Sequence, residues 1–235
     1  MLTLDRVRLS QDDFTLTADW QVAAGERIAV IGPSGAGKSS LLNAIAGFLP
    51  QASGQITWQG AAMDGLAPGR RPLSMLFQDQ NLFPHLTLAQ NLGLGLDPGL
   101  RRVDWAAVET ALARVGLAGL GARKPAQLSG GQQSRAALAR VLLRARPILL
   151  LDEPFAALGP ALKAEMLDLV AELAARALVL MVTHDPQDAQ RFADRCVLVA
   201  DGVAAAPVAT AALFADPPPA LAAYLGGSGL RNQTR

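Results

Sequence analysis

Three short runs in this sequence have the residue types and order for phosphate chemistry. Gly32-Pro33-Ser34-Gly35-Ala36-Gly37-Lys38-Ser39-Ser40 follows the pattern of glycine, four residues and then Gly-Lys-Ser, between an apolar run and a helical one. Glycines let backbone N–H groups turn inward onto phosphate oxygens, and a helix beginning near Lys38 adds the positive end of its dipole. Lys38 then reaches the β- and γ-phosphates of a nucleotide, and the Ser39 hydroxyl ligates Mg²⁺. In the second run, Ile148-Leu149-Leu150-Leu151 leads into Asp152 and Glu153, two carboxylates at the end of a buried strand, where an open parallel sheet has its crevice. Asp152 is the expected metal ligand, and Glu153 is the expected base for a water attacking the γ-phosphate. In the third, Leu128 precedes Ser129-Gly130-Gly131-Gln132, a small-residue turn that opens a helix and forms a second anion site. One nucleotide has one set of γ-oxygens. A second anion site is therefore expected to engage the nucleotide held by another copy, in a two-fold dimer with the nucleotide in its interface.

The elements that must position these residues follow from periodicity. Leu2 to Leu9 and Phe14 to Val22 alternate apolar and polar residues and read as antiparallel strands joined across Ser10–Asp13. Ile28–Ile31 reads as a buried strand, Ser39–Phe48 as a helix, Gly54–Gly60 and Leu73–Phe77 as strands, and Leu86–Leu96 and Asp104–Leu117 as helices. Gly131–Arg146, Pro160–Arg176 and Pro186–Asp194 then read as helices alternating with strands at Ile148–Leu151, Ala177–Val182 and Cys196–Ala200. Alternating strands and helices imply a parallel sheet with right-handed crossovers. The segment after Pro217-Pro218-Pro219, ending in Gly226-Gly227-Ser228-Gly229, reads as a loose tail.

Composition narrows the classes. The chain has 235 residues, 51% hydrophobic and 17% charged, enough for one large domain with a sizeable core and too apolar for intrinsic disorder. Twenty-one Lys and Arg against 20 Asp and Glu leave no electrostatic footprint for nucleic acid or anionic lipid. Apolar runs such as 177–182 fall well short of a membrane span of roughly 20 residues. A single cysteine, Cys196, excludes an internal disulfide framework, and Asp5, Arg6 and Arg8 interrupt any secretory leader, so the cytoplasm is the expected compartment.

Taken in order over nearly the whole chain, these residues resemble the ATP-binding subunits of ABC transporters. The resemblance implies the fold of a P-loop NTPase of ABC type: a mainly parallel α/β core sheet with an N-terminal antiparallel β-subdomain and an inserted helical subdomain. It divides a single domain, 1–235, into a catalytic core at about 1–85 and 147–205, helices at about 86–146 and a tail at about 206–235. It implies ATP and Mg²⁺ as ligands. Gln78, after the strand ending at Phe77, is similar to the family's glutamine that links Mg²⁺ and the attacking water to a membrane permease, and so joins Ser39 and Asp152 around the metal. His184, in Val182-Thr183-His184-Asp185, is similar to the switch histidine that contacts the γ-phosphate, giving Glu153, His184 and Gln78 as the catalytic set. The implied partners are a second copy of the chain, an integral membrane permease and, indirectly, a periplasmic binding protein, with no nucleic acid. The implied location is the cytoplasmic face of the inner membrane.

Arg70-Arg71-Pro72 through Gln78, Asn81-Leu82-Phe83, His85-Leu86-Thr87 and Ala89–Leu96 resemble the thiamine-importing branch of that family; another solute such as iron, a polyamine or an oxyanion stays open. The pattern also departs from the family. No aromatic residue lies in 9–13 to stack on adenine, and Phe14, by its parity with Leu16, Ala18 and Trp20, is expected to face the core. Ala156-Ala157-Leu158-Gly159 stands where a serine and an aspartate are usual, and Ser134 where a longer amide is usual. A regulatory module that does not turn over is one competing reading. A DNA-maintenance ATPase is another, though no sustained heptads lie between Ser39 and Ser129.

Overall fold

The computed structural model describes residues 1–11, 14–77 and 82–229. The chain opens with an antiparallel pair, β1 (Leu2–Gln11) and β2 (Phe14–Val22), in which Leu2 faces Val22 and Leu4 faces Trp20. The register shifts between Leu4 and Val7, where Arg6 has φ 46°. That bulge keeps Val7 and Leu9 on the buried face with Leu2 and Leu4 although the sequence between them is out of step.

Next come β3 (Arg27–Ile31), α1 (Lys38–Ala46), β4 (Ser53–Trp58) and β5 (Ala61–Ala62), then β6 (Leu73–Leu76). Three helices follow, α2 (Leu88–Leu96), α3 (Trp105–Arg114) and α4 (Gly130–Leu143), and after them β7 (Ile148–Asp152), α5 (Pro160–Leu173), β8 (Leu178–Val182), α6 (Pro186–Phe192) and β9 (Arg195–Ala200). The chain closes with β10 (Val203–Ala204), β11 (Val208–Ala209), α7 (Thr210–Ala215) and α8 (Pro219–Gly229). The sheet runs β5-β4-β1-β2-β10-β9-β3-β8-β7-β6, and β11 pairs with β9. The five strands from β9 to β6 are parallel. The chain enters this core at β3, next to β9, crosses to the far edge at β6 and returns through β7 and β8, so the carboxyl ends of neighbouring strands open at one crevice.

Period two divides the core. Leu150, Leu180 and Val30 pack with α1 and the antiparallel layer, while Leu149, Leu151, Val179 and Met181 pack with α4, α5 and α6. A third cluster, Leu88, Leu92, Val108, Leu112 and Leu128 among others, holds α2, α3 and α4 together. The expected strands and helices are found within a few residues. The expectation of a loose tail is corrected: Pro219 starts α8, a position where its fixed φ favours a helix, and Leu221 is fully buried against the face that carries α5 and α6. Strands β5, β10 and β11, at two residues each, are too short to carry a readable period.

Arg71 ties the β6 edge to α1. It is 4% exposed, and its guanidinium donates to the Ala44 and Ile45 carbonyls at 2.9 and 2.8 Å and to Leu66 O at 3.3 Å. A cation on the last carbonyls of a helix satisfies acceptors that the helix leaves unpaired and favours the negative dipole end. Replacing it removes the donor from the buried Ile45 carbonyl, while Ala44 O keeps the Gly47 N–H. Arg71→Met should therefore lower unfolding stability by roughly 2–3 kcal/mol, the range of a charge-assisted bond plus an orphaned acceptor. Urea denaturation would show it, and a loss below about 0.5 kcal/mol would contradict it.

Candidate active site

The phosphate loop, 32–37, joins β3 to α1. Gly37 is the helix N-cap with φ 99°, a left-handed conformation that glycine adopts without penalty. A Cβ there would lie 2.3 Å from Cζ of Phe14, so that ring fixes the loop's residue type as well as its shape. Phe14 does share the buried parity of Leu16, Ala18 and Trp20, and it packs on the first core cluster while its ring rests against the loop. Lys38 is 7% exposed and donates to Gly32 O at 2.9 Å and Pro33 O at 2.8 Å, which draws its ammonium back along the loop. Burial pushes Lys38 below its ordinary pKa, against the pull of Glu153 and Asp152.

Asp152 ends β7 on the same face as Ile148 and Leu150, which is the α1 face. There the Ser39 hydroxyl donates to Asp152 Oδ1 at 2.9 Å, across a gap of more than a hundred residues in sequence. Burial raises Asp152; the Ser39 bond and Lys38 work against that rise, and Glu153 adds to it. A hydroxyl and one carboxylate at a phosphate loop form a hard oxygen donor set. No group of three His, Cys, Asp or Glu side chains able to hold a metal occurs among the described residues. The set therefore suits Mg²⁺, which takes one or two protein oxygens and fills its octahedron with phosphate oxygens and water.

One residue on, Glu153 has φ 45°, a left-handed conformation that costs a side-chain-bearing residue roughly 1–2 kcal/mol. Its N–H donates to Val182 O at 3.1 Å, and its Oε2 lies 2.9 Å from Nδ1 of His184. The backbone reversal takes Glu153 off the strand and sets its carboxylate at the end of the neighbouring one. Thr183 and then His184 follow β8. Thr183 N donates to Val30 O at 3.3 Å, and Thr183 Oγ1 donates to Asp188 at 3.0 Å. Lys163, from α5, reaches both Asp185 and Asp188 at 3.0 Å. Burial opposes charge on Lys163 and Asp185 alike, yet their mutual hydrogen bonds hold Lys163 above and Asp185 below the ordinary values. The segment that carries His184 is thus tied to the helix that follows Glu153. Sequence reading missed Lys163 and Thr183; their partners lie on other elements, and only a lone cation in the first turns of α5 hinted at the link.

Ser129 caps α4. Its Oγ accepts from Gln132 N at 3.3 Å while Gln132 Oε1 accepts from Ser129 N at 3.0 Å, a reciprocal capping box. A Cβ at Gly131 would lie 2.5 Å from Leu162 Cδ2, so glycine is what lets this turn approach α5. Among the described residues no hydrogen bond or ion pair joins Ser129–Gln132 to the phosphate loop. Ser134 is buried and its hydroxyl donates back to Gly130 O at 3.0 Å, a role that needs no longer amide. Gln78 lies outside the described residues. Next to it, Phe77 sits 5.8 Å from Phe48, which is 56% exposed, and Phe83, 45% exposed, has the Arg140 guanidinium 5.7 Å from its ring centre. Asn91, fully buried, accepts from Phe83 N at 2.8 Å and donates to the carbonyls of Phe83, Leu86 and Thr87, fixing this segment against α2. An amide on the apolar side of α2 was the signal for it.

Gly159 caps α5 at φ −65°, with Pro160 at the first helical position, no side-chain cap and open space where a Cβ would project. Aspartate fits there without strain. Gly159→Asp should tighten ATP-dependent dimerisation in a Glu153→Gln background by roughly 1.5–3 kcal/mol if it gains a charge-assisted bond across a dimer interface. A local cap alone gives a few tenths of a kcal/mol in monomer stability and leaves dimerisation unchanged, and sedimentation with and without ATP separates the two.

The sequence matches the ABC transporter family over residues 16–156. It is 71% identical over 230 residues to the thiamine import ATP-binding protein ThiQ of Cereibacter sphaeroides, covering 96% of this chain and all of that one. It is 54% identical over 193 residues to the protein of the same name from Escherichia coli K12, covering 80% and 82% of the two chains. Its fold is similar to the dimeric, post-hydrolysis ATP-binding cassette MJ0796 bound to ADP and Pi, with a TM-score of 0.77, 28% identity and coverage of 89% and 99%. By its match to the family over more than half its length and its identity to these relatives, the chain belongs to the ABC transporter family as an ATP-hydrolysing, ATP-binding subunit.

Proposed function

We propose that this chain is the motor of a thiamine importer, a homodimer that closes on two ATP molecules, moves a bound membrane permease and reopens after hydrolysis. The observation that carries the hydrolytic part is the pairing of Glu153 with His184 at 2.9 Å beside the Ser39–Asp152 contact. The importer and its cargo rest on the 71% identity to a thiamine import ATP-binding protein along that relative's whole length.

In this reading the N–H groups of 33–39 and the Lys38 ammonium hold the β- and γ-phosphates, Lys38 trading its bonds to Gly32 and Pro33 for phosphate oxygens. Ser39, Asp152 and Gln78 would hold Mg²⁺, which would supply neutralisation of the phosphate charge. Glu153 accepts the proton of the attacking water, while His184, oriented through Nδ1, contacts the γ-phosphate and steadies charge as the bond to the leaving oxygen breaks. Ser129 and the N-terminus of α4 from the second copy close over the same phosphates. The exposed rings of Phe48, which half-buried Phe77 packs against, and of Phe83 offer aromatic surface for the permease. No helix among the described residues is long and apolar enough to cross a membrane. In this reading the chain attaches to the cytoplasmic face through that permease.

Glu153→Gln should keep ATP binding, lose turnover by about a hundredfold or more and accumulate as an ATP-bound dimer, because the amide keeps the shape and lacks the basicity. Phosphate release at the wild-type rate would remove Glu153 from the chemistry. For the cargo, ATPase activity of the reconstituted complex should rise with thiamine-loaded binding protein and not with iron- or polyamine-loaded ones. Stimulation by one of those instead overturns the cargo and leaves the motor standing.

A further inference from the structure

The switch loop is pinned on either side of its histidine and hardly at the histidine itself. Thr183 bonds Val30 and Asp188, and Asp185 is fixed by Lys163 and by accepting from Gln187 N at 2.9 Å. Among the described residues the His184 backbone has a single hydrogen bond, in which the Tyr224 hydroxyl donates to its carbonyl oxygen. Tyr224 comes from α8, forty residues on, and its ring packs with Leu221 and Leu225 on the core face that also holds Met166 and Phe192. Ring and hydroxyl therefore do different things: the ring anchors the helix, and the hydroxyl reaches past the core to the peptide that carries the imidazole.

We propose that Tyr224 is a positioning residue for ATP hydrolysis, holding the His184 peptide so that Nδ1 stays against Glu153. Fixing the His184 carbonyl fixes the backbone from which the ring projects, and the ring meets Glu153 Oε2 at 2.9 Å. Small displacements of such a contact change rates far more than binding, because the aligned geometry counts in the transition state. Burial, and then the carboxylates of Asp185, Glu153 and Asp188, raise the Tyr224 pKa, so its hydroxyl keeps its proton and remains a donor at neutral pH. The C-terminal helix is thereby part of the hydrolytic apparatus, and a partner or a modification that lifted α8 would slow turnover without touching ATP. This rests on reading His184 and Glu153 as the catalytic pair.

Tyr224→Phe keeps the ring and its packing and removes the hydroxyl. In the full-length chain it should lower kcat about threefold to tenfold, with KM for ATP within about twofold and thermal stability close to wild type. The chain's two histidines give a direct readout: in NMR spectra the ring signals of His184 should move in the Phe variant, while those of exposed His85 stay in place. A wild-type kcat in Tyr224→Phe, or unmoved His184 signals, overturns the proposal. His184→Ala, measured beside it, separates the two readings. If that variant is crippled while Tyr224→Phe is normal, the catalytic pair stands and the positioning role falls; if it turns over like wild type, the catalytic reading of His184 fails.

Discussion

Everything at this site depends on the register of three parallel strands. Val30 of β3 pairs with Val182 of β8, and Val182 pairs with Asp152 of β7, so one row of the ladder marks the end of β7 and β8 and lies one residue short of the end of β3. The phosphate loop leaves just beyond that row on the first strand, Glu153 on the third and Thr183–His184 on the second. A one-residue slip of β7 would carry Asp152 from the α1 face to the α5 face and take its carboxylate away from Ser39. The ladder is buried on both sides by side chains of alternating clusters, and that burial is what makes the slip prohibitive.

From this row the two carboxylates part company. Asp152 keeps the strand's alternation and inherits the α1 face; Glu153 abandons it through a left-handed backbone, which the Val182 carbonyl stabilises by accepting its N–H. Adjacent residues thus serve opposite sides of the crevice, one near Ser39 and the other near His184. The strain is local and is offset by hydrogen bonds from the Glu153 backbone and side chain, a pattern expected where geometry serves chemistry.

The sequence made the local parts of this arrangement legible. A phosphate loop is a contiguous pattern, an apolar strand ending in two acids is another, and Ser129 followed by two glycines is a turn that opens a helix. The parallel core followed from alternating periods, and the ordered helices from their caps. What stayed hidden was non-local or too short to have a period. Tyr224 and His184 meet across forty residues and two helices, Lys163 finds its carboxylates on α6 and at its cap, and β10 is two residues between β2 and β9. The tail misled because clustered prolines and glycines suggest a loop, whereas Pro219 opens a helix once Leu221 has a core to enter. At Arg6 the period-two pattern breaks, and only the bulge shows that both halves of β1 share one face.

The charges of the site suit one ligand spanning the loop and the strand end. Burial works against Lys38 and Asp152 in opposite senses, pushing one down and the other up, and each is partly restored by the other. Lys38 is drawn to carbonyls and Asp152 to a hydroxyl, both neutral partners that satisfy hydrogen bonds without balancing charge. An anion among the loop N–H groups would favour the ammonium, and a cation between Ser39 and Asp152 would favour the carboxylate, so each improves the setting for the other. Triphosphate and metal are therefore expected to bind with positive coupling, a coupling free energy that arises from the fixed separation of two side chains on one ladder and needs no movement of the fold.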